Sequence, residues 1–140
     1  MPRIMKKLFV CLLIFLSFAC SVNDDVQPNN VILLPVESAM VPNEFVVGQE
    51  YEIFLTYIRP TECHVYKDIY SQIESDGYMI AVMSAVYNEN NDCPPITETV
   101  EKSFKIKPIR DKNTYVFKFW HGSNGSGEDE FIIFEVPVVN

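Results

Sequence analysis

Few side chains in this 140-residue sequence are suited to catalysis, and their neighbours narrow the options. There are two histidines, His64 and His121, to serve as a general base. The run His121-Gly122-Ser123-Asn124-Gly125 approaches the Gly-x-Ser-x-Gly elbow, but histidine stands where the first glycine belongs. It also joins two strand-like segments, whereas that elbow joins a strand to a helix. A serine hydrolase is disfavoured. His64 adjoins Cys63, whose sulfur would be lost as a nucleophile once it enters a disulfide. Gly122 to Glu130 combines glycines with three carboxylates. Those charges repel phosphate, and no lysine follows as a phosphate cradle requires. Asn124, Glu128, Asp129 and Glu130 offer oxygens to calcium, yet near-consecutive strand residues point opposite ways. A solvated hairpin loop explains the same residues without an ion. No Cys and His cluster has zinc spacing, and no cofactor is called for.

Aromatic side chains give the stronger binding signal. Tyr66, Tyr70, Tyr78, Tyr87 and Trp120 are numerous for so short a chain. The alternation that turns Tyr115, Phe117 and Phe119 inward turns Trp120 outward. Near Phe54 or Tyr66, an outward Trp120 would make a platform for a sugar ring or a peptide. The competing reading has Trp120 covering one end of the domain beneath a loop. The net charge of −8 argues against nucleic acid as a partner. Lys102, Lys105, Lys107, Arg110 and Lys112 gather around one strand and its exit, as a solvated strand face does.

The N-terminus carries an address. Arg3, Lys6 and Lys7 precede Leu8 to Ala19, 12 residues without a charge. This is the pattern of a secretory signal. As a helix it would rise about 18 Å, too short for a hydrocarbon layer of roughly 30 Å. Leu16-Ser17-Phe18-Ala19-Cys20 resembles the lipobox of bacterial lipoproteins, with Phe18 bulkier than the usual small residue. The resemblance implies cleavage before Cys20 and acylation of its sulfur, so the partner at this end is a membrane. A plain signal peptide cut elsewhere is the alternative. Ser21-Val22-Asn23-Asp24-Asp25 resembles the acidic export signal of some Gram-negative surface lipoproteins, which implies display on the outer membrane. Residues 1–19 are thus expected to be a signal peptide and residues 20–30 a lipidated, acidic tether with little to bury. Without residues 1–19, 8 basic and 19 acidic side chains leave a net charge of −11.

Of four cysteines, Cys11 leaves with the signal and Cys20 takes lipid, which leaves Cys63 and Cys93. In an exported domain they are expected to pair. Closing that loop stabilises a fold by about 3 to 4 kcal/mol in the chain-entropy description.

The elements that must position these residues read as β-strands. From Val31 onward, short alternating runs are separated by Pro, Gly, Asn and Asp. The expected strands are Val31–Val41, broken at Pro35; Gln49–Ile58; Cys63–Ile73; Tyr78–Tyr87; Val100–Lys107; Asn113–Trp120; and Phe131–Val139. Asp76-Gly77 supplies a hairpin turn between the third and fourth. About seven strands in this length predict an all-β antiparallel sandwich over residues 31–140. The runs from Val41 to Ile53 and from Asn113 to Trp120 resemble the A to B and F strands of bacterial immunoglobulin-like domains. The resemblance puts Tyr115 at a tyrosine corner and Phe117 where antibody domains hold their second core cysteine. Cys63 and Cys93 do not sit on the B and F strands, and no tryptophan lies in the third strand. That resemblance carries no function by itself; because no residue need perform chemistry, the expected role is that of a non-enzymatic, lipid-anchored interaction or accessory module for an unidentified protein or glycan. Capture of glycan or peptide, with or without calcium, is the alternative.

Overall fold

The computed structural model describes residues 28, 30–88, 90–110 and 112–140. The expected signal peptide, Cys20 with its expected lipid and most of the expected tether lie outside them. Among the described residues nine strands run in chain order: β1 Asn30–Leu34, β2 Val36–Met40, β3 Phe45–Val46, β4 Tyr51–Thr61, β5 His64–Glu74, β6 Gly77–Val86, β7 Pro95–Ile106, β8 Thr114–Ser123 and β9 Asp129–Val139. They form two sheets, and no helix occurs among the described residues. The smaller sheet has the order β2-β4-β7. In the larger, β6 pairs with β5 along its length and with β1 and β8 at its two halves, and β9 and β3 complete it.

The all-β, two-sheet expectation holds, and its details change. The first expected strand is two, because Pro35 removes a ladder donor and lets the chain leave β1 in the larger sheet for β2 in the smaller. Phe45–Val46 forms a short strand that its two-residue length hid from any periodicity test. The pairing is also mixed, since β6 with β8 and β3 with β9 run parallel.

Alternation builds the core. Ile53, Leu55 and Tyr57 of β4 face Ile80 and Val82 of β6 and Tyr115, Phe117 and Phe119 of β8, all buried in one cluster. Phe104 of β7 reaches Phe117 with ring centroids 6.4 Å apart, joining the two sheets. Burying each such ring contributes on the order of 2 kcal/mol. Cys63, in the turn from β4 to β5, is bonded to Cys93, in the loop from β6 to β7, with Cα atoms 5.3 Å apart. The bridge pins a crossing between sheets to the approach of β7.

The β5–β6 hairpin closes through Ser75 and Asp76, with Glu74 opposite Gly77. Gly77 stands at φ +154°, and a Cβ placed there would lie 2.6 Å from the Val116 carbonyl oxygen and 2.8 Å from Val116 Cβ. Its missing side chain lets β8 come close to the start of β6. Gly77→Ala is therefore expected to destabilise the domain by about 1 to 3 kcal/mol, as overpacking against backbone does, and to lower the melting temperature in calorimetry. An unchanged melting temperature would show that β8 has room to withdraw.

Candidate functional site

Among the expected ligand residues, Tyr66 sits in the most developed site. Along one edge of the two sheets, Tyr57, Arg59, Val65, Tyr66, Glu98 and Lys102 line an open groove of about 300 Å³. Arg59 organises one end: its Nε donates to the His64 carbonyl at 2.6 Å and an Nη donates to the Glu62 carbonyl at 2.8 Å. The other Nη meets Glu98 Oε2 at 3.4 Å. The guanidinium thus braces the β4–β5 turn and ties it to β7, as a planar fork with fixed donors can. The Tyr57 and Tyr66 ring centroids lie 6.5 Å apart, and Lys102 Nζ lies 4.4 Å from the centre of the Tyr66 ring. That distance suits a cation–π contact.

Burial pushes both phenols above their ordinary range, and Asp68 adds to the effect on Tyr66. Burial, helped by Arg59, pushes the His64 imidazole down. His64 Nδ1 shares a 2.7 Å hydrogen bond with the Thr61 hydroxyl, so it is held within the turn. Beside the groove Thr97 adopts φ 49°, in the left-handed region that β-branched residues avoid. Such a conformation costs on the order of 1 to 3 kcal/mol and persists where surrounding pairs over-determine it. The β4–β7 register shift lies here, between the Arg59–Glu98 and Thr61–Pro95 pairs. The groove thus combines a phenol ring, an ammonium and a guanidinium–carboxylate pair, groups able to stack on and hydrogen-bond to a polar ring.

Trp120 and Phe54 do not join it. Trp120 lies on the outer side of the larger sheet, opposite Phe131 on β9. Phe54, between inward Ile53 and Leu55, lies on the outer side of the smaller sheet, in a shallow depression of about 100 Å³ with Met40 and Glu101. Alternation assigned each residue to a side of its own strand, but which sheet that strand joins was not legible in the local pattern.

The oxygens offered to calcium are largely engaged within their own loop. Asn124 Oδ1 accepts from the backbone N–H groups of Ser126 and Glu128 at 2.9 and 3.0 Å. Asn124 Nδ2 donates to Glu128 Oε2 at 3.2 Å. Asp129 Oδ1 accepts from Trp120 Nε1 at 2.9 Å and from Ser123 Oγ at 2.8 Å. Glu130 stands opposite Gly122 in the ladder and is exposed. Among the described residues no group of three or more His, Cys, Asp or Glu is arranged to hold a metal ion. A register shift at His121 lets its Nδ1–H donate to the Val36 carbonyl of the other sheet at 2.6 Å. His121 and Ser123 therefore have separate partners. No family model, curated protein or solved structure matches this chain.

The hydrogen bond from Trp120, followed by that from Ser123, holds the Asp129 carboxyl below its ordinary value of 3.8. A carboxyl lowered on folding contributes stability that is complete above the ordinary value and is lost as pH falls through the lowered one. Trp120 is the single tryptophan, so its fluorescence reports this site. Its emission should titrate with a midpoint below 3.8, Ser123→Ala should move that midpoint upward, and Asp129→Asn should abolish the transition. A midpoint at 3.8 or above in the unaltered protein would contradict the bonding described.

Proposed function

We propose that this chain is a non-enzymatic surface lipoprotein, an immunoglobulin-like domain held to the outer membrane through acylated Cys20 and acting as an interaction module. The groove beside Tyr66 carries this reading: it is open, aromatic at its wall and framed by opposite charges, features of a recognition site. The separate partners of His121 and Ser123 support a role without nucleophilic catalysis. Support for the immunoglobulin-like type comes from the β2-β4-β7 sheet and from Tyr115, whose hydroxyl accepts from the Ile109 N–H six residues upstream at 3.1 Å. A tyrosine corner makes such a bond at the start of the F strand. The parallel β6–β8 ladder and the Cys63–Cys93 bridge are departures from that type.

Capture of a glycan or peptide is the more specific form of the same role, favoured by the Lys102–Tyr66–Tyr57 arrangement. It is argued without calcium, because Asn124 and Asp129 oxygens already accept hydrogen bonds.

Metabolic labelling with a fatty acid tests the anchor. Cys20→Ala is expected to abolish incorporation and leave uncleaved precursor, and undiminished labelling would refute acylation at that sulfur. Calorimetric titration of the mature protein against a glycan and peptide panel tests capture. Tyr66→Ala is expected to weaken binding by about tenfold, in line with a stacking contact of on the order of 1 kcal/mol. Binding untouched by Tyr66→Ala and Lys102→Ala would remove the groove from the proposal.

A further inference from the structure

The larger sheet has an outer surface that meets the groove only at Val65. Register places Val31 and Leu33 of β1, Met79, Ala81 and Met83 of β6, Trp120 of β8 and Phe131 and Ile133 of β9 on its outer side, with Ala81 fully covered and with Asp68, Tyr70, Gln72 and Glu74 of β5 and Glu135 of β9 bordering them on the same side. Val31 is 40% exposed and Ile133 57%. An outer sheet face of a soluble domain ordinarily alternates to polar residues, and a contiguous apolar one marks a contact surface. Its central cation, Lys118, is already neutralised. Nζ donates to Glu74 Oε2 at 2.6 Å and to Asp76 at 3.2 Å, and lies 5.1 Å from the centre of the Phe131 ring.

We infer that this face rests on the phospholipid surface to which the chain is anchored. The inference builds on the lipoprotein reading above. The length of the tether favours lipid over a protein partner. Ser21 to Asn29 is nine residues, at most about 30 Å when fully extended. The chain then enters β1, two of whose side chains, Val31 and Leu33, belong to the face itself. A domain tethered so closely meets the bilayer at high effective concentration, and its nearest apolar surface is this one. Trp120 with a bonded indole N–H, and Phe131 beneath the Lys118 ammonium, suit the boundary between headgroups and acyl chains. The net charge of −11 expected for the mature chain argues for zwitterionic lipid, since anionic headgroups would repel it.

The acylated mature protein in phosphatidylcholine vesicles, with and without brominated acyl chains, supplies the test. Trp120 emission is expected to shift to shorter wavelength on reconstitution and to lose intensity when the chains are brominated. Val31→Asp with Ile133→Asp, both at exposed positions, should remove the quenching while the protein still floats with the vesicles and keeps its circular-dichroism spectrum. Flotation without quenching in the unaltered protein would overturn docking and leave the anchor standing. Failure to float would overturn the anchor and the docking together. Equal quenching in the double variant would also overturn docking through this face.

Discussion

The packing of aromatic rings around Phe117 is the constraint on which the two-sheet arrangement depends. Phe45 of β3, Tyr78 of β6, Phe104 of β7, and Tyr115 and Phe119 of β8 all place ring centroids between 6.0 and 6.4 Å from it. Offset and edge-on geometries at these distances add to the area that the rings remove from water. Because β3, β6 and β8 belong to the larger sheet and β7 to the smaller, one ring registers both layers. It also accounts for the parallel β6–β8 ladder. That ladder has only three residue pairs, Tyr78–Phe117 and Ile80–Phe119 among them, both directed into the core. Side-chain packing thus holds together a junction whose backbone ladder is short.

Around this centre the chain changes sheet where it can do so without leaving buried backbone groups unmatched. Pro35 has no N–H to satisfy, and at the same end of the domain Val36 O receives the His121 imidazole. At the β4–β5 crossing, Arg59 satisfies the carbonyls of Glu62 and His64, and Tyr87 N donates to Cys63 O at 2.9 Å. The Cys63–Cys93 bridge restrains the unfolded chain over a separation of 30 residues, contributing about 3 to 4 kcal/mol on an entropic account. Thr97 sits a few residues along β7 from this bridge. Its unfavourable φ is sustained because the bridge on one side and the Arg59–Glu98 pair on the other fix the strand at both ends of the irregularity. The groove is built on that fixed edge.

Alternation made most of the strands legible, together with the inward sets Ile53, Leu55 and Tyr57 and Tyr115, Phe117 and Phe119. Each is a local pattern with a period of two. The pairing of Cys63 with Cys93 followed from counting thiols in a chain expected to be exported. What could not be read locally was set by contacts distant in sequence. The division at Pro35 depends on two different partner strands. β3 exists because Phe45 is drawn against Tyr51 and Phe117. Gly77 looked like a residue of the turn itself, whereas its bareness is required by Val116 on a strand about 40 residues away. The proposed platform failed as a single site for the same reason. Trp120, Tyr66 and Phe54 belong to three strands whose relative placement no alternation encodes.

The two proposed contact surfaces differ in their electrostatics. The groove keeps its charged groups at the rim, where Lys102 and the Arg59–Glu98 pair remain open to an incoming polar ligand. The outer face of the larger sheet has its one central ammonium committed to Glu74 and Asp76, with only 14% of the Lys118 side chain exposed. Much of the penalty of desolvating Lys118 has therefore been met during folding, and its carboxylate partners lie on the adjoining hairpin. An ammonium satisfied internally loses less when water is replaced by hydrocarbon than an unsatisfied one does, whereas Asp68 and Glu135, exposed on the same side, belong with the hydrated headgroups. The groove edge is thus suited to remaining in water while the opposite requirement is met by the face that carries Trp120.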